Sequence, residues 1–230
     1  MDVEQLEKIA NSTFERWVSL CRQEKHSLAK DEAQTLIGLC VETIGGQNEA
    51  DSETKNAALE LGILFRGLQD FNTVYELIKS SNYELDDAQI EKVWVLLWDC
   101  KDRVKFSKSH YANAVLNILL EKIKLLEKQI DEYAGSAIYT SAEIDCSVIC
   151  SVCRADYRSC DHFAGQIYNG HLCSRTPIDL RLVNFAAVEL PEDPRNRLWP
   201  WKTHEAERGD LVLENCLILR SFRLDDFLDK

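Results

Sequence analysis

Cys150-Ser151-Val152-Cys153-Arg154-Ala155-Asp156-Tyr157-Arg158-Ser159-Cys160-Asp161-His162 is the stretch that decides how the chain is organised. Two cysteines separated by two residues form the usual first half of a zinc knuckle, because a tight turn carries both thiolates to one side of the backbone. Cys160 and His162 have one residue between them, so both project to the same side of an extended segment. Three thiolates and one imidazole complete a tetrahedron and leave no position open for substrate. Sulfur with imidazole selects against calcium and magnesium, and zinc adds no redox chemistry. The expectation is one structural Zn2+ on Cys150, Cys153, Cys160 and His162. Cys146 lies four residues upstream, and His171 and Cys173 lie beyond Gly165 and Gly170. These are alternative donors, and either cysteine can stand in for His162.

Outward from this stretch, the other cysteines read differently. Of nine in all, Cys21, Cys40 and Cys100 sit singly in apolar patterns, as small buried hydrophobes do. An odd count, with no apolar core in the first thirty residues to suggest a secretory signal, predicts reduced thiols in a cytoplasm. The 230 residues carry 27 Lys and Arg against 39 Asp and Glu, a net charge of −12, which disfavours a nucleic-acid backbone as partner. The longest apolar run, Val93 to Trp98, is far too short to cross a bilayer, so no membrane role is expected.

The longer pattern Cys150-x2-Cys153-x6-Cys160-x-His162-x2-Gly165-x2-Tyr168-x-Gly170-x2-Cys173 resembles a small Cys3His module found in bacterial and phage proteins. In that module strands and a proline-bearing turn come after the metal pattern, and Leu190-Pro191-Glu192-Asp193-Pro194-Arg195 is similar. The resemblance covers about fifty residues. It supports the four ligands and carries no activity. One departure is Arg154, where knuckles often have glycine after the second cysteine.

Composition changes near Gly135. Up to Ala134 there are 24 acidic and 16 basic residues, twelve of the bases being lysine, and no proline; all four prolines lie later. Such a stretch permits long helices. The fold expected is α+β: an acidic all-α bundle over residues 1–134, then a zinc-stapled module with strands over 135–230, with the boundary between Tyr133 and Thr140. The helices expected are a first from about Asp2 to Lys25; a second whose stripe ends at a left-handed cap on Gly45-Gly46; a third capped by Ser52; a short fourth over Thr73 to Lys79; a fifth opening at Asp86 or Asp87; and a sixth from Tyr111 to Tyr133. In the last, Leu119, Ile123, Leu126, Ile130 and Tyr133 make a heptad seam that packs into the bundle or serves a homodimer. Beyond the metal stretch, Ile178, Leu180 and Leu182 alternate with Asp179 and Arg181 as a half-buried strand running towards Val188, and Leu211 to Leu219 supplies one or two more. Trp199-Pro200-Trp201 reads as a plug for a small core or as an apolar anchor for a partner.

Enzymatic patterns are sparse. No nucleophile elbow, Gly-rich phosphate loop or Walker lysine is present, and the Asp161-His162 pair lacks the spacing and the third ligand of ββα-metal nucleases. Arg103 and His110, on either side of a helix junction, resemble the Arg-x4-6-His pair of HEPN ribonucleases. That resemblance implies an imidazole acid or base and a guanidinium facing phosphate, although Val104 replaces the usual polar neighbour. The function expected is a non-enzymatic zinc-binding adaptor in a bacterial or phage-related multi-protein system, with another protein subunit as partner. A HEPN-type ribonuclease and an acidic inhibitor or immunity protein are the alternatives.

Overall fold

The computed structural model describes residues 1–46, 50–108, 113–135, 137–205, 211–213 and 223–228. It is α+β, with a helical part followed by short sheets. Five helices come first: α1 (Val3–Arg22), α2 (His26–Gly45), α3 (Ser52–Ser80), α4 (Asp87–Lys108) and α5 (Ala114–Ala134).

Their ends follow from local chemistry. Asp2 accepts from the Gln5 N–H at 2.9 Å and the Gln5 side chain accepts from the Asp2 N–H at 3.3 Å, a capping box that starts α1. Asp51, one residue before the expected Ser52, caps α3 by accepting from the Thr54 N–H at 2.7 Å. The left-handed cap expected at Gly45-Gly46 is not what ends α2; Gly46 is extended, with φ −65° and ψ 142°.

The separate short helix over Thr73 to Lys79 is also corrected. α3 runs unbroken for 29 residues. Asn72 and Thr73, which invite a break, instead bond back to the Leu68 and Gln69 carbonyls at 2.9 Å each, so their competition with the backbone is satisfied inside the helix. α3 is buried on nearly every side, from Ala58, Leu61 and Leu64 to Phe71 and Val74, as befits a central helix.

In α5, Leu119, Ile123 and Ile130 of the heptad seam are buried in the common core, and Leu126 is half-buried against it. These seam residues therefore face the bundle. Tyr133, its expected last member, is 68% exposed.

The second part is built on a ribbon. β1 (Ile138–Cys150) pairs antiparallel with β4 (Arg175–Val188), and its first residues also pair with β5 (Arg197–Leu198), in the order β4-β1-β5. Two short hairpins complete the described sheets: β2 (Ile167–Tyr168) with β3 (His171–Leu172), and β6 (Thr203–Glu205) with β7 (Leu211–Leu213). Residues 214–219 of the last expected strand lie outside the described residues.

The half-buried strand expected at Ile178, Leu180 and Leu182 forms, but it is not half-buried: Leu180 is 60% and Leu182 51% exposed. β4 is an edge strand exposed along most of its length, and the register shifts at Glu143/Ile144 and Asp145/Ser147 bend the ribbon.

Trp199 ties the two parts together, as expected of a plug. It packs edge-on against Trp94 of α4 with ring centroids 6.1 Å apart and stacks on Trp201 at 5.0 Å. Arg197 lies 4.7 Å from the Trp94 and Trp199 ring centroids and pairs with Asp131 of α5. Arg195 is buried between Asp99 and Asp102 of α4, each at 2.6 Å. Tyr139, Trp199 and Phe227 belong to the same apolar core as the helices.

Candidate metal centre

The site forms where β1 ends. The Cys150 N–H donates to the Ala155 carbonyl, and the Arg154 N–H to the Cys150 carbonyl, each at 2.9 Å, which curls residues 150–155 into a tight knuckle. Arg154 closes that turn at φ +63°, the left-handed conformation glycine usually supplies, so the turn forms at a modest conformational cost despite the arginine.

Asp156 then caps a 3-10 turn at Tyr157–Ser159 by accepting from the Arg158 N–H at 2.8 Å, and Cys160 leaves it in extended conformation. This places Cys160 and His162 opposite the knuckle. The Tyr157 hydroxyl accepts from the Ala164 N–H at 3.0 Å, and the Tyr168 hydroxyl from the Phe163 N–H at 3.1 Å, so two phenols hold the loop that carries the histidine.

The β2–β3 hairpin behind the site turns through Asn169 and Gly170, with φ of 50° and 76°, the pair of positive angles a two-residue type I′ turn requires. The Gly170 N–H donates to Asn56 Oδ1 on α3 at 2.8 Å. A Cβ at position 170 would sit 3.2 Å from Ile44 and Lys55 side chains. Close backbone approach at this glycine anchors the metal module to the helices.

The ligand atoms of Cys150, Cys153, Cys160 and His162 all lie within 4.8 Å of one another, the set the sequence spacing predicts. Cys150 is buried, Cys153 exposed, and Cys160 and His162 in between. His162 Nδ1 is buried and has no hydrogen-bond partner among the described residues, while its ring meets Tyr168 edge-on at 4.6 Å. A buried imidazole nitrogen without a partner is costly unless it serves as a ligand. The donor set thus fits a soft tetrahedral ion.

Local electrostatics agree. Burial raises the Cys150 thiol, but the N–H groups of Cys153 and Val152, with help from the Cys153 and Cys173 thiols, bring it down to about 6. Backbone donors aimed at a sulfur favour the thiolate that a metal needs. Burial, then the neighbouring Cys150, pushes Cys173 up to about 11.

Of the alternative donors, Cys146 and His171 stand outside the four-ligand group, whereas Cys173 Sγ lies 3.8 Å from Cys150 Sγ. That contact arises because Ser151 and Ser174 clamp the two segments together: the Ser151 N–H donates to the Ser174 carbonyl at 3.0 Å and the Ser174 N–H to Ser151 Oγ at 2.8 Å. Spacing along the chain names Cys173 only as a substitute ligand; its contact with Cys150 depends on the pairing of β1 with β4, which the cysteine pattern does not reveal.

Arg103 of the other candidate pair is fully buried. It forms ion pairs with Asp70 and, at 2.9 Å, with Asp226. It also donates to the carbonyls of Leu224 and Arg223 at 3.4 and 3.3 Å, holding the C-terminal turn against α3 and α4. Burial pushes the Asp70 carboxyl up to about 6 despite the pull of Arg103 and Arg66. His110 lies outside the described residues.

No protein-family model, curated protein or solved structure matches the chain. The described helices include none long and apolar enough to cross a membrane.

Proposed function

We propose that this chain is a non-enzymatic interaction subunit, an adaptor whose C-terminal module is stapled by one structural zinc on Cys150, Cys153, Cys160 and His162. The observation that carries the metal is the convergence of these four donors within 4.8 Å. Four protein ligands leave no open coordination position, so the zinc fixes shape and does not activate water. Its ligands act as thiolates and a neutral imidazole, and binding them together folds the loop between Cys150 and Cys173.

The β1–β4 ribbon supports the adaptor role. It displays Leu180, Leu182 and Val183, at 60%, 51% and 55% exposure, on an edge strand. Edge strands with apolar side chains are surfaces on which other chains dock. The setting we assign is a cytoplasmic, bacterial or phage-related assembly; the compartment rests on the odd cysteine count and the origin on the resemblance of the cysteine-rich module.

Two experiments test the reading. Elemental analysis of purified protein should find one zinc per chain, lost in Cys160→Ser. A photoreactive residue in place of Leu182, irradiated in the native cell, should cross-link one defined protein, and Leu180→Asp should abolish the cross-link. Protein free of zinc removes the staple, and irradiation without a discrete product removes the adaptor role.

A further inference from the structure

Five metal-binding side chains converge where zinc accepts four. Cys150, Cys153, Cys160 and His162 form a closed set within 4.8 Å, yet Cys173 Sγ lies 3.8 Å from Cys150 Sγ. Cys173 is 1% exposed and Cys150 is fully buried, so this thiol belongs to the interior of the site. No disulfide joins the two in the structure.

The backbone around them is held from both sides. Cys150 pairs with Arg175 at the end of the ribbon, Ser151 Oγ donates to the Leu172 carbonyl at 3.1 Å, and the Cys173 N–H donates to the Gln166 carbonyl at 2.8 Å. A disulfide needs sulfurs about 2.05 Å apart, so closing a 3.8 Å gap asks for about 1.8 Å of movement.

We propose that Cys173 is a resolving thiol for the zinc site: a peroxide oxidises the Cys150 thiolate, Cys173 closes a Cys150–Cys173 disulfide, and the zinc is released. This rests on the zinc reading above. In the first step the Cys150 thiolate attacks one peroxide oxygen, the O–O bond breaks, and sulfenate and water form after proton transfer. In the second the Cys173 sulfur attacks the sulfenic sulfur, the S–O bond breaks, and hydroxide leaves. Overall, one thiolate, one thiol and one hydrogen peroxide give one disulfide, one water and one hydroxide, two electrons passing from sulfur to peroxide. Cys150 is then no longer a ligand. The remaining two thiolates and one imidazole hold zinc more weakly, because tetrahedral structural sites need all four donors.

Cys153 is the exposed member of the set, so solvent meets the knuckle on that side. Cys146, half-buried on the ribbon and outside the four-ligand group, serves as an internal control. The full-length, zinc-loaded chain is treated with hydrogen peroxide while a chromophoric chelator, 4-(2-pyridylazo)resorcinol, reports free zinc. Non-reducing peptide mapping of the same wild-type sample locates the disulfide.

The expected result is one zinc released per wild-type chain with a Cys150–Cys173 link. Cys173→Ser should bind one zinc as purified and release it at least tenfold more slowly, and Cys146→Ser should behave as wild type. Release from Cys173→Ser at the wild-type rate, or a wild-type map showing a different pair, overturns the inference while leaving the zinc reading intact. Cys173→Ser purified without zinc also overturns it, by making Cys173 a ligand. Wild-type protein without zinc removes the zinc reading itself, and the inference with it.

Discussion

Replacing Trp199 with alanine should be among the most destabilising single changes outside the helices. Its indole is 5% exposed, lies edge-on to Trp94 at 6.1 Å and stacks on Trp201 at 5.0 Å. Truncating a buried Trp to Ala typically costs about 3–5 kcal/mol, combining lost transfer energy with the cavity left behind. A second loss adds to it. The Arg197 guanidinium lies 4.7 Å from the Trp94 and Trp199 ring centroids while pairing with Asp131, and removing one ring forfeits about 0.5–1 kcal/mol of cation–π attraction. The total is about 4–6 kcal/mol, most of the margin of a marginally stable protein. For a chain of this size each kcal/mol lowers the midpoint by about 2–4 °C, so thermal unfolding followed by circular dichroism should shift down by about 10–20 °C. Trp201→Ala should cost less, about 1–2 kcal/mol, since that ring is only half-buried, stacking on Trp199 and donating one hydrogen bond from Nε1 to Glu91 at 2.9 Å. Equal effects of the two substitutions, or a Trp199→Ala shift below about 5 °C, would refute the plug.

The same contacts set four further outcomes. Ile123→Asp should abolish soluble protein, because a carboxylate would be buried unpaired in the core, whereas Leu182→Asp on the exposed ribbon should change urea stability by less than about 0.5 kcal/mol. Gly62→Ala places a Cβ on the Phe227 ring and should free the C-terminal turn, read as faster proteolysis near residues 223–228 with the helices intact. Acidification below the range in which the thiolates stay ionised, or a strong chelator, should raise hydrogen exchange over residues 150–175 and leave α1 to α3 protected, since the helices carry their own core. Asp70 holds its proton up to about 6 in the folded protein against 3.8 ordinarily; the folded state therefore binds the extra proton, and this group's contribution to stability falls as pH rises from about 4 to about 6. Asp70→Asn should remove that part of the pH dependence in urea titrations.

How much of this is legible in the sequence depends on what each feature answers to. The four candidate ligands are readable because ligand spacing is local: a two-residue gap and a one-residue gap suffice to aim the donors, and the turn forms even with Arg154 in the left-handed position. The helix stripes are readable for the same reason, as is the inward face of α5. The break expected near Thr73 does not occur because side-chain bonds to the Leu68 and Gln69 carbonyls let polar residues continue a helix. β1 does carry a strand signal, with Ile138, Thr140, Ile144 and Val148 alternating against Ser141, Glu143, Asp145 and Ser147, but its pairing partner is a separate segment beyond the cysteine-rich loop and is not legible from it. The alternation in β4 is correct, but alternation signals a sheet face and does not say what covers it, so the exposure of Leu180 and Leu182 is invisible. Arg103 gives no hint of burial from its helix position alone; its partners Asp70 and Asp226 come from distant segments.

The central claim, a closed zinc site of three sulfurs and one nitrogen, is tested most directly by zinc K-edge X-ray absorption on the purified full-length chain. The expected result is one zinc per chain whose fitted shell holds three sulfurs at about 2.3 Å and one imidazole nitrogen at about 2.0 Å. A shell of four sulfurs would contradict it by putting Cys173 in place of His162, and the absence of a zinc edge would contradict it outright.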